Sequence, residues 1–119
     1  MIKSLSLLTR GNGMSKEEFR RIWTSEHAPL VRAVRGVRKY VLSFVLDEPT
    51  RPDVPTQTMN VDAIAELWYD DMAALKAAAA SPEMKAVLAN GALHLSAIKT
   101  FLTEEIAMIP RAGQGAIPE

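Results

Sequence analysis

An α+β fold with the element order βαββαβ is what this chain predicts, on three observations. Four segments rich in Leu, Ile, Val and aromatic residues have strand length. Serine and aspartate caps stand before the helical stretches. The apolar period is helical after the first and third strand segments, where a crossover needs a helix. At 119 residues, 48% apolar and 24% charged, the chain suits one globular domain. That domain is expected over 1–109, with 110–119 an arm or disordered tail.

The first strand is expected over 2–9, with Ile2, Ser4, Ser6 and Leu8 on one face and Lys3, Leu5, Leu7 and Thr9 on the other. Gly11 and Gly13 stop it, as a turn and not a phosphate loop, because the pattern that follows a phosphate loop is absent. Ser15 with Glu18 three residues on reads as a capping box. Phe19, Ile22, Trp23, Leu30 and Val34 then recur at helical spacing. Pro29 lacks the N–H for an internal bond, so the helix is expected to kink or restart between His27 and Pro29. Gly36 ends it, and 37–46 reads as a strand. Residues 47–57 hold three prolines and read as a loop on the pocket rim. A third strand is expected over 59–69. Asp70 or Asp71 caps a second helix, Ser81-Pro82 opens another helical piece, and Asn90-Gly91 is expected to end it. The last strand is expected over 97–108.

This order matches the split βαβ pattern of a ferredoxin-like antiparallel sheet with helices on one face. The strands are substantially apolar on both faces, so the uncovered face also needs burial. Two copies pairing sheet to sheet, as a dimeric α/β barrel, meet that need, and a homodimer is expected.

Lys plus Arg number 14 and Asp plus Glu number 14, so no basic surplus supports a nucleic-acid or polybasic membrane partner. Cysteine is absent, which excludes disulfides, thiolate metal sites and cysteine nucleophiles. With His27 and His94 the two histidines, no metal site is expected. The short, interrupted apolar start does not read as a signal peptide, so a soluble, cytoplasmic protein is expected.

The run Glu18 to Trp23 and the run Glu26-His27-Ala28-Pro29-Leu30-Val31 resemble the signature helix of the EthD family. Gly36 to Tyr40, Ala65 to Asp70, Ala80-Ser81-Pro82 and Glu104-Glu105 follow in that family's order. The resemblance covers residues 2–106 and implies the dimeric α+β barrel superfamily. That superfamily includes methylmuconolactone isomerases, polyketide cyclases, cofactor-free monooxygenases and haem-degrading enzymes, and fold alone does not choose among them.

Imidazole exchanges protons near neutral pH, so His27 is the first catalytic candidate, although its spacing equally fits a satisfied core histidine. The resemblance favours catalysis, because the histidine of the matching Glu-His-Ala-Pro motif is the family's usual active-site candidate. Tyr40 can hold or polarise a substrate oxygen, or simply pack. In the related muconolactone isomerases a histidine and a tyrosine at matching positions line the pocket. Their third-strand cysteine has no counterpart here. Glu66 shares a strand face with Ile64 and Trp68; there it would be desolvated and assist His27, or pair with an arginine such as Arg38. Trp23, Phe44 and Trp68 are the expected substrate-binding aromatics, each of which also suits a core. His94 is expected at the surface. The arginines Arg20, Arg21, Arg32, Arg35 and Arg38 are expected mostly on solvated helix faces.

The expected function is a small isomerase or lyase that needs no cofactor and transfers protons on a hydrophobic, oxygenated cyclic compound such as a lactone or polyketide-like aromatic. The alternatives are a cofactor-free monooxygenase, a haem-binding or haem-degrading protein with His27 as axial ligand, and a small-molecule binding module without turnover.

Overall fold

Leu8 anchors the first strand, β1 (Ile2–Arg10), to the core at 2% exposure, and β1 is hydrogen-bonded on both sides. The computed structural model describes residues 1–109, so the expected tail 110–119 lies outside the described residues. β2 (Lys39–Phe44), β3 (Ala63–Tyr69) and β4 (Leu95–Glu104) complete an antiparallel sheet in the order β2-β3-β1-β4. With helices inserted after β1 and β3, this is the expected ferredoxin-like arrangement.

The caps act as their sequence suggests. Ser15 Oγ accepts from the Glu18 amide at 3.0 Å and starts α1 (Lys16–Ile22). Asp71, not Asp70, caps α3 (Met72–Ala79), accepting from the Ala74 amide at 2.8 Å. Ser81 accepts from the Met84 amide at 3.2 Å, and Pro82 opens α4 (Pro82–His94).

The break before Pro29 takes a particular form. Between α1 and α2 (Ala28–Arg32) the chain makes one π-helical turn, Trp23–His27, closed by the Ala28 amide on the Trp23 carbonyl. Such a turn sets aside ordinary helical bonds. Thr24 Oγ1 donates to the Arg20 carbonyl at 2.7 Å, and Ser25 Oγ donates to the Arg21 carbonyl. Gly36, at φ +95°, then turns the chain toward β2 through a conformation that side chains disfavour.

Several boundaries differ from expectation, and β2, expected over 37–46, spans only Lys39–Phe44. α4 runs through Asn90 and Gly91 to His94, with Asn90 bonded to His27 across the π turn and a Cβ at 91 placed in ordinary contact with His27 Cε1 at 3.7 Å and Trp23 Cη2 at 3.9 Å. β4 therefore begins at once, at Leu95, and ends at Glu104. β3 starts only at Ala63, since Asp62 is used otherwise. Its amide donates to the Leu8 carbonyl at 2.7 Å, and its carboxylate takes the Arg10 amide at 2.9 Å and the Arg10 guanidinium.

The register assigns the two sheet faces. Ser4, Ser6 and Leu8 line up with Leu67, Ala65 and Ala63, and these with Tyr40, Leu42 and Phe44, under the helices. Lys3, Leu5 and Leu7 line up with Trp68, Glu66 and Ile64 on the face without helices. Two buried clusters fill the helix side. One gathers Phe19, Ile22 and Trp23 over Leu8, Ala63 and Ala65; the other gathers Val31, Val34, Ala78 and Val87 with Tyr69.

Candidate functional site

Between the π turn, α4 and the sheet lies a cleft of about 450 Å3, lined by apolar side chains and a few polar ones. The π turn delivers His27 to its wall, where the residue is 6% exposed. Its ring stacks on Trp23, with centroids 4.0 Å apart and planes 21° from parallel. Asn90, one helix away on α4, places Oδ1 at 2.9 Å from His27 Nδ1. With the Asn90 amide oxygen turned toward the ring, as here, Nδ1 donates and Nε2 keeps its lone pair. Nε2 has no partner among the described residues. Burial holds the His27 pKa below the ordinary 6.5; the bond to Asn90 opposes this, and the charge of nearby His94 adds to it.

Tyr40 reaches the same cleft from β2. Its hydroxyl is buried without a hydrogen-bond partner among the described residues, and burial pushes its pKa up to about 12 against a smaller opposing pull from Arg32. The phenol thus stays a donor across the neutral range. The Trp23 indole N–H is likewise buried without a partner among the described residues. Buried donors of this kind are rare in folded proteins and call for an explanation. The sheet contributes a floor of Ser4, Ser6, Ala65, Leu67 and Thr100.

The cleft therefore brings together His27, Tyr40 and Trp23 of the residues singled out by sequence. It does not include Glu66, Trp68 or Phe44. Glu66 and Trp68 lie on the opposite face, because the register sets them beside Lys3. Glu66 cannot assist His27 through the sheet; it pairs with Lys3 Nζ at 2.8 Å, and Arg38 pairs instead with Asp70 at 2.8 Å. Lys3 also reaches Glu105 at 3.2 Å, and Glu105 accepts from Trp68 Nε1 at 2.9 Å. Desolvation draws the Lys3 pKa down, but the bonds to the two carboxylates outweigh it and the net shift is upward. The Trp68 ring also carries the ammonium groups of Lys3 and Lys39, at 5.1 and 4.8 Å from its centroid. Phe44 faces the helices beyond the cleft, packed edge-on against Phe19 with Arg20 over its ring.

Phe44 borders a wider polar depression, with Asp47 and Glu48 from the start of the proline-rich loop. That loop is irregular, as expected, but contributes nothing to the His27 cleft. His94 is half-buried at the end of α4, not at the surface, and its carbonyl accepts from the Gly11 amide at 2.8 Å. Asn90, Ser4, Ser6 and Thr100 are the site residues that sequence reasoning missed. The serines carried a signal, since hydroxyls on the strand face of Leu8 are out of place in a core.

An antiparallel sheet in this order, with a cleft under its helices, defines the ferredoxin-like α+β class. The family is more specific: the EthD domain model matches residues 11–96, and the chain belongs to that family. No curated protein matches the chain. Among solved structures it is similar to an EthD family protein from Bacillus halodurans C-125, with a TM-score of 0.73 and 22% identity over 89% of this chain and 99% of that one. It is also similar to a dimeric ferredoxin-like protein of unknown function from Bacteroides fragilis, with a TM-score of 0.63 and 17% identity over 87% of this chain and 95% of that one. A third is SnoaB, a cofactor-independent oxygenase from Streptomyces nogalater, with a TM-score of 0.62 and 13% identity over 92% of this chain and 97% of that one.

Proposed function

We propose that the chain is a cofactor-independent enzyme that transfers protons on a hydrophobic, oxygenated cyclic compound, a lactone or polyketide-like aromatic, as an isomerase or lyase. One observation carries this: a histidine with Nδ1 tied down and Nε2 without a partner among the described residues shares an apolar cleft with a tyrosine whose buried hydroxyl likewise has none there. Nε2 of His27 takes a proton from carbon beside a carbonyl. Negative charge then gathers on the carbonyl oxygen, where the Tyr40 hydroxyl donates a hydrogen bond. The imidazolium returns the proton at another position, or to a leaving group. Asn90 holds the ring in the tautomer that this requires. Exclusion of water by the cleft walls strengthens each of these bonds.

A second reading is supported by the likeness to SnoaB, which is described as a cofactor-independent oxygenase. The same proton removal leaves an electron-rich substrate, and such a substrate can itself reduce oxygen. A panel of lactones and hydroxylated aromatic ketones, followed by product analysis and oxygen uptake, separates the two. Product without oxygen uptake supports the isomerase or lyase, and stoichiometric uptake supports the oxygenase. A ligand-induced rise in Tm with no product overturns both in favour of a binding module.

We also propose a homodimer joined through the helix-free sheet faces. Leu5, Leu7, Val41 and Ile64 belong to that face, and Phe101 there is 42% exposed. The Bacteroides fragilis neighbour is described as dimeric. A monomeric mass by light scattering at micromolar concentration would refute the pairing.

A further inference from the structure

Three hydroxyls interrupt the cleft floor where the neighbouring positions are apolar. Ser4 and Ser6 stand on β1, and Thr100 stands beside Ser6 on β4, with Ser6 Oγ and Thr100 Oγ1 2.8 Å apart. Only one O–H is used between these two atoms. The other O–H and several lone pairs are left over, so the pair can both donate and accept. Tyr40 lies across the floor from it. Tyr40, Leu67 and Ser4 form one cross-strand row, and Leu42, Ala65, Ser6 and Thr100 form the next. Strand spacing separates Tyr40 from Ser4 by roughly 10 Å at the backbone, and Thr100 stands one strand farther out. Between the two polar ends the floor is Ala65 and Leu67.

We propose that Ser6 and Thr100 form a second polar anchor of the cleft, reading a hydroxyl or carbonyl oxygen on the far edge of the ligand. The inference rests on the cleft being the ligand site with Tyr40 at the reacting oxygen. It narrows the substrate class to flat, fused-ring ketones or lactones with oxygen functions at opposite edges and an apolar middle. A compact, singly oxygenated ring would not reach the Ser6–Thr100 end.

The test is binding of a matched pair of probes, 1-tetralone and 6-hydroxy-1-tetralone, which differ by one hydroxyl on the edge remote from the ketone. Titration calorimetry of the intact protein should show the hydroxylated probe binding about fivefold more tightly, the range of one net hydrogen bond. The Ser6→Ala/Thr100→Val double variant should lose that preference and keep its affinity for 1-tetralone. Thr100→Ser should retain the preference, because the hydroxyl is kept. Wild-type protein that does not distinguish the probes, that binds neither, or a double variant that still distinguishes them, overturns the anchor. Tyr40→Phe should weaken both probes equally. If it weakens neither while the hydroxyl preference behaves as expected, the Tyr40 assignment fails and the anchor stands.

Discussion

On the helix-free face of the sheet, Lys3 bonds both Glu66 and Glu105, and Glu105 also takes the Trp68 indole N–H. On the helix-covered face, among the described residues, the Tyr40 hydroxyl and the Trp23 indole N–H are buried with no partner, and His27 uses one ring nitrogen of two. Both faces hold an indole and ionisable groups, so residue type does not separate them. Completion does. A closed network leaves nothing to offer a ligand, whereas an open one carries a desolvation cost that a bound oxygen or proton would offset. This contrast turns the candidate list toward His27 and Tyr40 and away from Glu66 and Trp68.

The largest expected effect breaks the contrast at its open end. His27→Gln keeps much of the side-chain volume but removes the base, so turnover should fall by about 100-fold or more, measured on the substrate that the panel identifies. A folded His27→Gln protein with unaltered turnover would remove the base from this face. The wild-type rate should follow neutral His27, staying level as pH falls past 6.5 and dropping only below it, because burial lowers this pKa. Stability moves in the same sense. The unfolded histidine binds protons from 6.5 downward while the folded one resists, so the His27 contribution is complete above 6.5 and is lost as pH falls through the lowered value.

The closed end should respond in the opposite currency. Lys3→Met strands two carboxylates and should lower stability by about 2 kcal/mol in urea unfolding, below the cost for a fully buried pair. Turnover per folded molecule should stay within about twofold of wild type, whereas a collapse of turnover would erase the difference between the faces. Tyr40→Phe should lower the rate by about 100-fold, the loss of one hydrogen bond to developing charge. Stability should hold or rise, since the deleted hydroxyl has no partner to lose. Gly91→Ala should have the smallest effect. The added methyl meets its nearest neighbours at 3.7 to 4.0 Å, ordinary contact, and alanine favours the helix interior. A gain of roughly 0.5–1 kcal/mol by thermal unfolding is expected, and a loss would show that α4 sits closer to His27 than contact distance.

Much of the fold was legible because its signals are local. Ser15, Asp71 and Ser81 each cap a helix through a bond to an amide three residues on, and such a bond depends on no distant residue. His27 and Tyr40 were legible through a motif and a strand position, and both line the cleft. Glu66 was misassigned because alternation along β3 gives the faces but not which one receives helices. With Ala65 and Leu67 on one side and Ile64 and Trp68 on the other, both looked fit for burial. Asn90 was read as half of a helix stop because Asn-Gly commonly is one. What overrides it is tertiary: both residues face the π turn, and Asn90 bonds His27 there.

The π turn also sets a rule for chain length. It holds one residue more than an α-helix would spend on the same circuit, so it behaves as an insertion written into the helix. Each residue of an α-helix advances about 100° around the axis. Deleting one residue between Trp23 and His27 would let the segment close as an ordinary α-helical turn, leaving Phe19, Ile22, Ala28 and Val31 in phase with the core they fill and removing the turn that carries His27. Substitutions in Thr24 to Glu26 can drift while the count stays fixed. An alignment that opens a one-residue gap in this segment would therefore pair helices of the same phase, one that carries the π turn and one that lacks it.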